Sequence, residues 1–348
     1  MSERIFWKDK LCANPIPWLL EPDTSQPAVR YFTLRDILGR PDDEIKVKEA
    51  RAAVMRDGPV PLILAAQEPE GYWDKPGAGY GPKYRGTQWA VVFMAQLGAD
   101  GVDSRVRAAC EYVLSHSIAS NGSLSMNGVP SGFVQCMAGN LGAALIDLSW
   151  SGDPRLQTAM EWLAQTITGE GVADYTNRDT NKRYYKSGTL APLFACSVNV
   201  ALPCAWGAIK AMLALSKVPT ALRTQRIQAA MKQGIAFLLS HDPAVADYPF
   251  GMGNRPSSSW FKFGYPIGYI TDVLQNLEVL AALGQAQDPR LAHALELVVS
   301  KQDEQGRWML EYSYNGKTWV DIEKKGQPSK WVTLRALRVL KAAYPEPK

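Results

Sequence analysis

The chain has 348 residues, 46% hydrophobic and 21% charged, which allows a large core and carries no signature of disorder. Its formal charge of +4 comes from Lys and Arg scattered among Asp and Glu without a basic run, so nucleic acid is not an expected partner. No stretch approaches the roughly 18 apolar residues of a membrane span, "MSERIFWKDKLCANPIP" holds no apolar leader core, and the five cysteines are odd in number and irregular in spacing, so a cytoplasmic protein with reduced thiols is expected.

Residues 1–27 read as an N-terminal extension, and "RYFTLRDIL" from Arg30 as the first buried helix. "EIKVKEARAAVMRDG" from Glu44 is amphipathic, and after "QEPEGYW" at 67–73 comes "TQWAVVFMAQLG", apolar nearly all round and therefore buried. The alternation then repeats. Asp103 and Asp153 stand as N-caps before the amphipathic "DSRVRAACEYVL" and "DPRLQTAMEWLA", with the apolar "CMAGNLGAALIDLSW" between them. The long stretch from Asp174, "DYTNRDTNKRYYKSGTLAPLFAC", exceeds what a helix connection needs and reads as a lid or mouth loop. "CAWGAIKAMLALS", the amphipathic helix from Ala221, "DVLQNLEVLAALG" and the helix capped by Asp288 follow, then "QDEQGRW" at 302–308 and "KWVTLRALRVL" from Lys330. Thr33-Leu34-Arg35 precedes Thr333-Leu334-Arg335 by 300 positions (333 − 33). The period of roughly 50 to 65 residues gives about six inner and five to six outer helices. Closure into a ring, with the first and last inner helices as neighbours, hides the apolar ends of such a stack.

The paired Gln-xxx-Gly-x-Trp stretches and the helix alternation resemble the α/α toroid of squalene-hopene cyclases, oxidosqualene cyclases and protein-prenyltransferase β-subunits. More closely, they resemble bacterial prenyltransferase and squalene-oxidase repeat proteins. The resemblance spans about residues 28 to 343 and implies an all-α fold, one toroid domain over 28–343 and a tail at 344–348. It also implies structural roles: Gln67 and Gln302 cap neighbouring helix ends, and Trp73 and Trp308 stack on the following loop. The chain departs from the cyclases in having no Asp-x-Asp-Asp motif; "RPDDEI" is the charged start of an outer helix. Proton-initiated polyene cyclisation by the familiar acid is therefore not expected. Neither is protein prenylation, which needs an α-subunit and zinc held by Asp, Cys and His.

Counting back from the last-turn Leu of successive inner helices sets a common rung. Cys136 is 12 before Leu148 (148 − 136), Cys204 is 11 before Leu215 (215 − 204), Asp272 is 11 before Leu283 (283 − 272) and Thr87 is 10 before Leu97 (97 − 87). Cys196 lies in the loop just ahead. Cys136, Cys196 and Cys204 are thus candidate ligands for zinc at one lumen mouth, with Asp272 as a fourth ligand or an acid or base; a Cys on an apolar helix is otherwise a small buried hydrophobe. Cys12 and Cys110 read in that second way. His116, His241 and His293 fall on outer helices and read as surface, and no Gly-rich phosphate loop is present. Candidate catalytic residues are Asp272, Lys210, a charge inside an apolar helix, and Tyr269. Candidate substrate-binding residues are Tyr84, Arg85, Trp89, Trp206, Tyr265 and Trp260. The expectation is an enzyme acting on a small hydrophobic or phenolic molecule by lyase, hydratase, isomerase or cyclase chemistry. The alternative is a lipid- or peptide-binding toroid without catalysis.

Overall fold

Helices without a polar face must find partners on every side. In a computed structural model, which describes residues 6–180, 182–185, 190–251, 253 and 257–346, they do so by standing side by side in a ring. In chain order the α-helices are α1 (Ile16–Leu20), α2 (Pro27–Phe32), α3 (Ile45–Arg56), α4 (Pro59–Ala65), α5 (Thr87–Gln96), α6 (Ser104–His116) and α7 (Gln135–Asp147). After them come α8 (Pro154–Thr168), α9 (Ala205–Lys217), α10 (Gln225–Leu238), α11 (Val273–Ala282), α12 (Ala292–Ser300) and α13 (Lys330–Ala343). The inner set is α2, α5, α7, α9, α11 and α13; from α5 to α13 each packs on the next, and α13 returns to α2. Phe32 at the end of α2 meets Gly98 just beyond α5, where a methyl group would lie 3.1 Å from the phenyl ring. The remaining long helices form the outer layer, so the fold is all-α and an α/α toroid.

Strand structure among the described residues is limited to two-residue pieces. β1 (Leu190–Ala191), β2 (Ala195–Cys196) and β3 (Leu202–Pro203) form an antiparallel sheet in that order, with Cys196 opposite Leu202. β4 (Trp308–Met309) pairs with β5 (Pro328–Ser329). The predicted insert from Asp174 contains this first sheet, and residues 181 and 186–189 of it lie outside the described residues.

Local chemistry sets the helix ends. Asp103 and Asp153 accept from the backbone N–H of Arg105 and Arg155, as the N-cap reading requires. The helix expected from Ala221 starts instead at Gln225, because the Thr224 hydroxyl takes the cap and Thr220–Leu222 is a separate single turn. Thr33–Ile37, the first Thr-Leu-Arg copy, continues α2 as a π-helical turn, whereas the second copy lies within regular α13.

The Gln-xxx-Gly-x-Trp stretches work as ties between repeats. Gln67 donates to the carbonyls of Gly71 and, at 3.0 Å, Arg105 in the first turn of α6; Gln302 donates to Lys10 and Val299. Trp73 and Trp308 are 0% exposed, and their indole N–H groups donate back to the carbonyls of Ile63 and Val298, each at 2.8 Å. Their backbone N–H groups donate to the hydroxyls of Thr87 and Thr333. The tryptophans thus bind the end of the preceding helix to the start of the next inner one, where stacking on the following loop was expected.

Candidate active site

A buried stretch, residues 264–268, enters the ring and touches helix after helix. The Tyr265 ring stacks on Trp331 of α13 at 4.1 Å between centroids, and its hydroxyl donates to the Gln96 carbonyl of α5. Ile267 exchanges two hydrogen bonds with the Gln96 side chain, and Asn140 of α7 donates to the Gly268 carbonyl at 3.1 Å. Gly268 lies against the Tyr314 ring so closely that a methyl group would be 2.7 Å from it. The stretch therefore crosses the lumen as a plug.

Beyond the plug, toward the C-terminal ends of the inner helices, lies a cavity of about 570 Å³ to which all six inner helices and the turn after α2 contribute. Val92, Leu213, Val279, Val339, Tyr31 and Phe32 give it apolar wall. Charge enters in pairs. Arg335 on α13, with its side chain 3% exposed, donates to Asp272 at 3.0 Å and to Glu278 at 2.7 Å, and Glu278 faces the cavity. Asp36 joins Arg35 to Arg338 across the seam of the ring. Burial pushes the Asp36 carboxyl up, but Arg338 and Arg35 outweigh it and hold the group below its ordinary range. The Arg35 guanidinium sits 4.9 Å over the Phe32 ring. At the far end Lys217 pairs with Asp147 at 2.8 Å.

Two amides are aimed by their partners. Gln275 receives the Thr271 hydroxyl at 2.8 Å and Lys210 Nζ at 3.3 Å on its Oε1, which leaves its Nε2 as a donor for the cavity that it lines. Asn140 spends an Nδ2 hydrogen on the plug, which leaves its Oδ1 as an acceptor. Lys210 itself is 0% exposed and donates to Thr271 at 2.5 Å; burial, partly offset by the nearby Cys136 and Asp272, pushes its ammonium down to about 8.

The opposite, N-terminal mouth holds the thiols. Cys204 is the N-cap residue of α9, Cys196 lies on β2, and Cys136 is at the start of α7; the Tyr269 hydroxyl there donates to the Met126 sulfur at 3.9 Å. Burial raises the Cys136 thiol. Tyr80, Tyr84, Trp89 and Tyr269 form one aromatic cluster there, with Lys83 Nζ 4.3 Å over the Tyr269 ring. Burial raises both the Tyr84 and Tyr269 hydroxyls, the first to about 12.

The sequence-predicted residues thus divide. The thiols and Lys210 do converge, but among the described residues no group of three or more His, Cys, Asp and Glu is arranged to hold a metal ion. Asp272 does not join the thiols: its oxygens accept from Arg335, from the Gly264 N–H and, as N-cap of α11, from the Gln275 N–H. Its lone pairs are engaged, so it positions Arg335. The expected zinc set, with Asp272 as its fourth member, is not assembled. Tyr265 lines the cavity, whereas Trp89 is sealed in the aromatic cluster. Trp260 donates its indole N–H to Pro243 in the manner of Trp73 and Trp308, Arg85 is exposed against Trp319, and Trp206 is half-buried at the start of α9. The cavity residues Arg35, Asn140, Gln275, Glu278 and Arg335 were missed. For Asn140, Glu278 and Arg335 the signal available was depth: each is the sixth residue of its inner helix, as are Val92 and Lys210 of theirs.

Fold and cavity define an α/α toroid with a plugged lumen open to ligand on one side. No protein-family profile and no curated protein matches the sequence. Among solved structures the chain is similar to the type II terpene cyclase MstE from Scytonema, at 15% identity over 93% of this chain and 89% of that one, with a TM-score of 0.44. A variant of that cyclase in complex with geranylgeranyl dihydroxybenzoate gives 15% identity, 93% and 88% coverage and a TM-score of 0.44. A protein from Actinoplanes gives 14% identity, 84% and 99% coverage and a TM-score of 0.29. Among the described residues no helix is long and apolar enough to cross a membrane.

Proposed function

We propose that the chain is an enzyme that takes a small, largely apolar or phenolic molecule into its lumen and rearranges it by proton transfer, in the lyase, hydratase, isomerase or cyclase class. The observation that carries this reading is the cavity of about 570 Å³, a size that suits one small ligand, whose wall joins an apolar part, Val92, Leu213, Val279 and Val339, to polar and charged groups. Gln275 donates to a ligand oxygen, Asn140 accepts from a hydroxyl, and Glu278, oriented by Arg335, serves as the proton acceptor. Lys210 acts behind this wall. While protonated it holds Gln275 Oε1 and so fixes the direction of the amide donor. No step is routed through zinc, because the donor set does not fit one.

The test is to incubate the protein with phenols carrying apolar chains and follow conversion by chromatography and mass spectrometry, in the parent and in Glu278→Gln. The expected result is conversion in the parent that falls by roughly 10²–10⁴ in the variant while binding persists. Binding without conversion, equal in both proteins, sinks the catalytic reading and leaves a carrier.

A further inference from the structure

At the seam of the ring two guanidinium groups share one carboxylate. Arg35 Nε donates to one oxygen of Asp36 at 2.6 Å; Arg338 Nε donates to the other at 2.8 Å and its Nη2 to that same oxygen. Arg35 Nη1 donates to the Tyr31 hydroxyl at 3.1 Å. A guanidinium carries five N–H donors, so Arg35 Nη2 and Arg338 Nη1 each keep two, with no acceptor among the described residues. Both groups are fixed on one ring as well, 4.9 Å and 4.8 Å from the centroid of Phe32. Their side chains are 38% and 30% exposed, and Arg35, Arg338, Tyr31 and Phe32 all line the cavity. The free donors therefore border open space.

The charges around them do not cancel. Lys341 lies behind the pair and donates to the carbonyls of Asp36 and Ile37, so three cations meet the one carboxylate of Asp36. Asp42, on the exposed rim of the cavity and in no ion pair among the described residues, offsets at most one of the two excess charges. Elsewhere the cations of the wall are matched or outnumbered: Arg51 pairs with Asp100, Lys217 with Asp147, and Arg335 with both Asp272 and Glu278. The cavity is thus positive at the seam and negative at Glu278.

We propose that the ligand of this cavity is an apolar molecule ending in a carboxylate, whose head is held by the free N–H groups of Arg35 and Arg338 at the seam. The proposal rests on the space behind the plug being the ligand site. A planar carboxylate suits guanidinium edges as Asp36 already does, and hydrogen bonds between two charged groups are stronger than neutral ones. Asp36 holds both guanidiniums in place before the ligand arrives, so little side-chain freedom is lost on binding. The polarity of the wall also fixes the direction of the ligand. Its anionic head takes the positive seam, and its uncharged part is left to Asn140, Gln275 and Glu278, where a second anion would meet the Glu278 carboxylate.

The test is calorimetric titration at neutral pH of para-octyloxybenzoate, and of its methyl ester, which keeps the body and loses the charge. The proteins are the full-length parent, Arg35→Gln, Arg338→Gln and Ala144→Trp, the last of which fills the cavity. The parent should bind the carboxylate at least ~10-fold more tightly than the ester. Each arginine variant should bind the carboxylate ~10-fold more weakly and the ester as before, and ester binding shows that its cavity is intact. Ala144→Trp should weaken both ligands. Equal affinity for carboxylate and ester in the parent, with both weakened in Ala144→Trp, overturns the anionic head and leaves the cavity as the ligand site. Binding that Ala144→Trp does not weaken, or no binding of either ligand, removes the cavity as the ligand site and the proposal with it. The comparison within the parent decides the matter even if an arginine variant fails to fold.

Discussion

Arg335 is the side chain whose removal the structure penalises most. It is 3% exposed, as is its partner Asp272, and it also binds Glu278 and the Gly264 carbonyl. Replacing it by Leu leaves the Asp272 carboxylate buried with only its two backbone donors. Breaking a buried pair from one side costs about 3–5 kcal/mol, and the orphaned Gly264 carbonyl adds about 1 kcal/mol or more. Against a total stability of about 5–15 kcal/mol that is a large fraction. Asp272→Asn keeps an oxygen for the Gln275 N–H, so the double variant removes the charge while keeping the cap of α11, and should recover about 1–3 kcal/mol relative to the sum of the two single changes. The assay is urea unfolding at pH 7 followed by tryptophan fluorescence in all four proteins. A single-variant loss below about 1 kcal/mol, or strict additivity in the double variant, would mean that Arg335 and Asp272 do not depend on each other as a buried pair.

Lys210 predicts a pH dependence. Its folded-state value, about 8, lies below the ordinary 10.5, so between those limits the unfolded chain binds the proton more tightly and stability rises with pH. The full swing is about 3 kcal/mol, and in Lys210→Met the rise through that window should be missing from pH-dependent urea melts. Thr87→Val and Thr333→Val each strip the acceptor from a buried tryptophan N–H, so each should lower stability by about 1–3 kcal/mol, and by similar amounts because the two ties share one geometry. Gly139→Ala ought to stabilise an isolated helix. Its methyl would lie 2.3 Å from the Lys210 carbonyl, however, so a loss of about 1–3 kcal/mol in thermal or urea melts is expected instead.

The architecture was legible because burial writes itself into composition. Helices such as α5, buried from Thr87 to Ala95, have no polar face to disguise, and the Gln-xxx-Gly-x-Trp ties recur with the same spacing. The thiol mouth was legible for a related reason: residues at the start of parallel inner helices must share one end of the ring, which brought Cys136 and Cys204 together. Asp272 shares that rung and still turns away, since a sequence rung gives depth and not direction, and Arg335 from the neighbouring helix claims the carboxylate. The cavity was hidden by the plug. Nothing in "GYPIGY" announces a chain that enters the ring, and without it the lumen reads as one space with its chemistry at the aromatic mouth. Arg35 and Arg335 were in plain view as the repeated Thr-Leu-Arg, but only the structure adds that both copies face one cavity.

If the protein acts as proposed, the space behind the plug is the ligand site. The direct measurement is calorimetric binding of a phenol bearing an apolar chain to the parent and to Ala144→Trp, which fills the cavity from α7 and leaves the thiol mouth untouched. Saturable binding to the parent should weaken by roughly tenfold or more in a variant whose circular dichroism is unchanged. Equal affinity in the two proteins would place the ligand elsewhere and contradict that assignment.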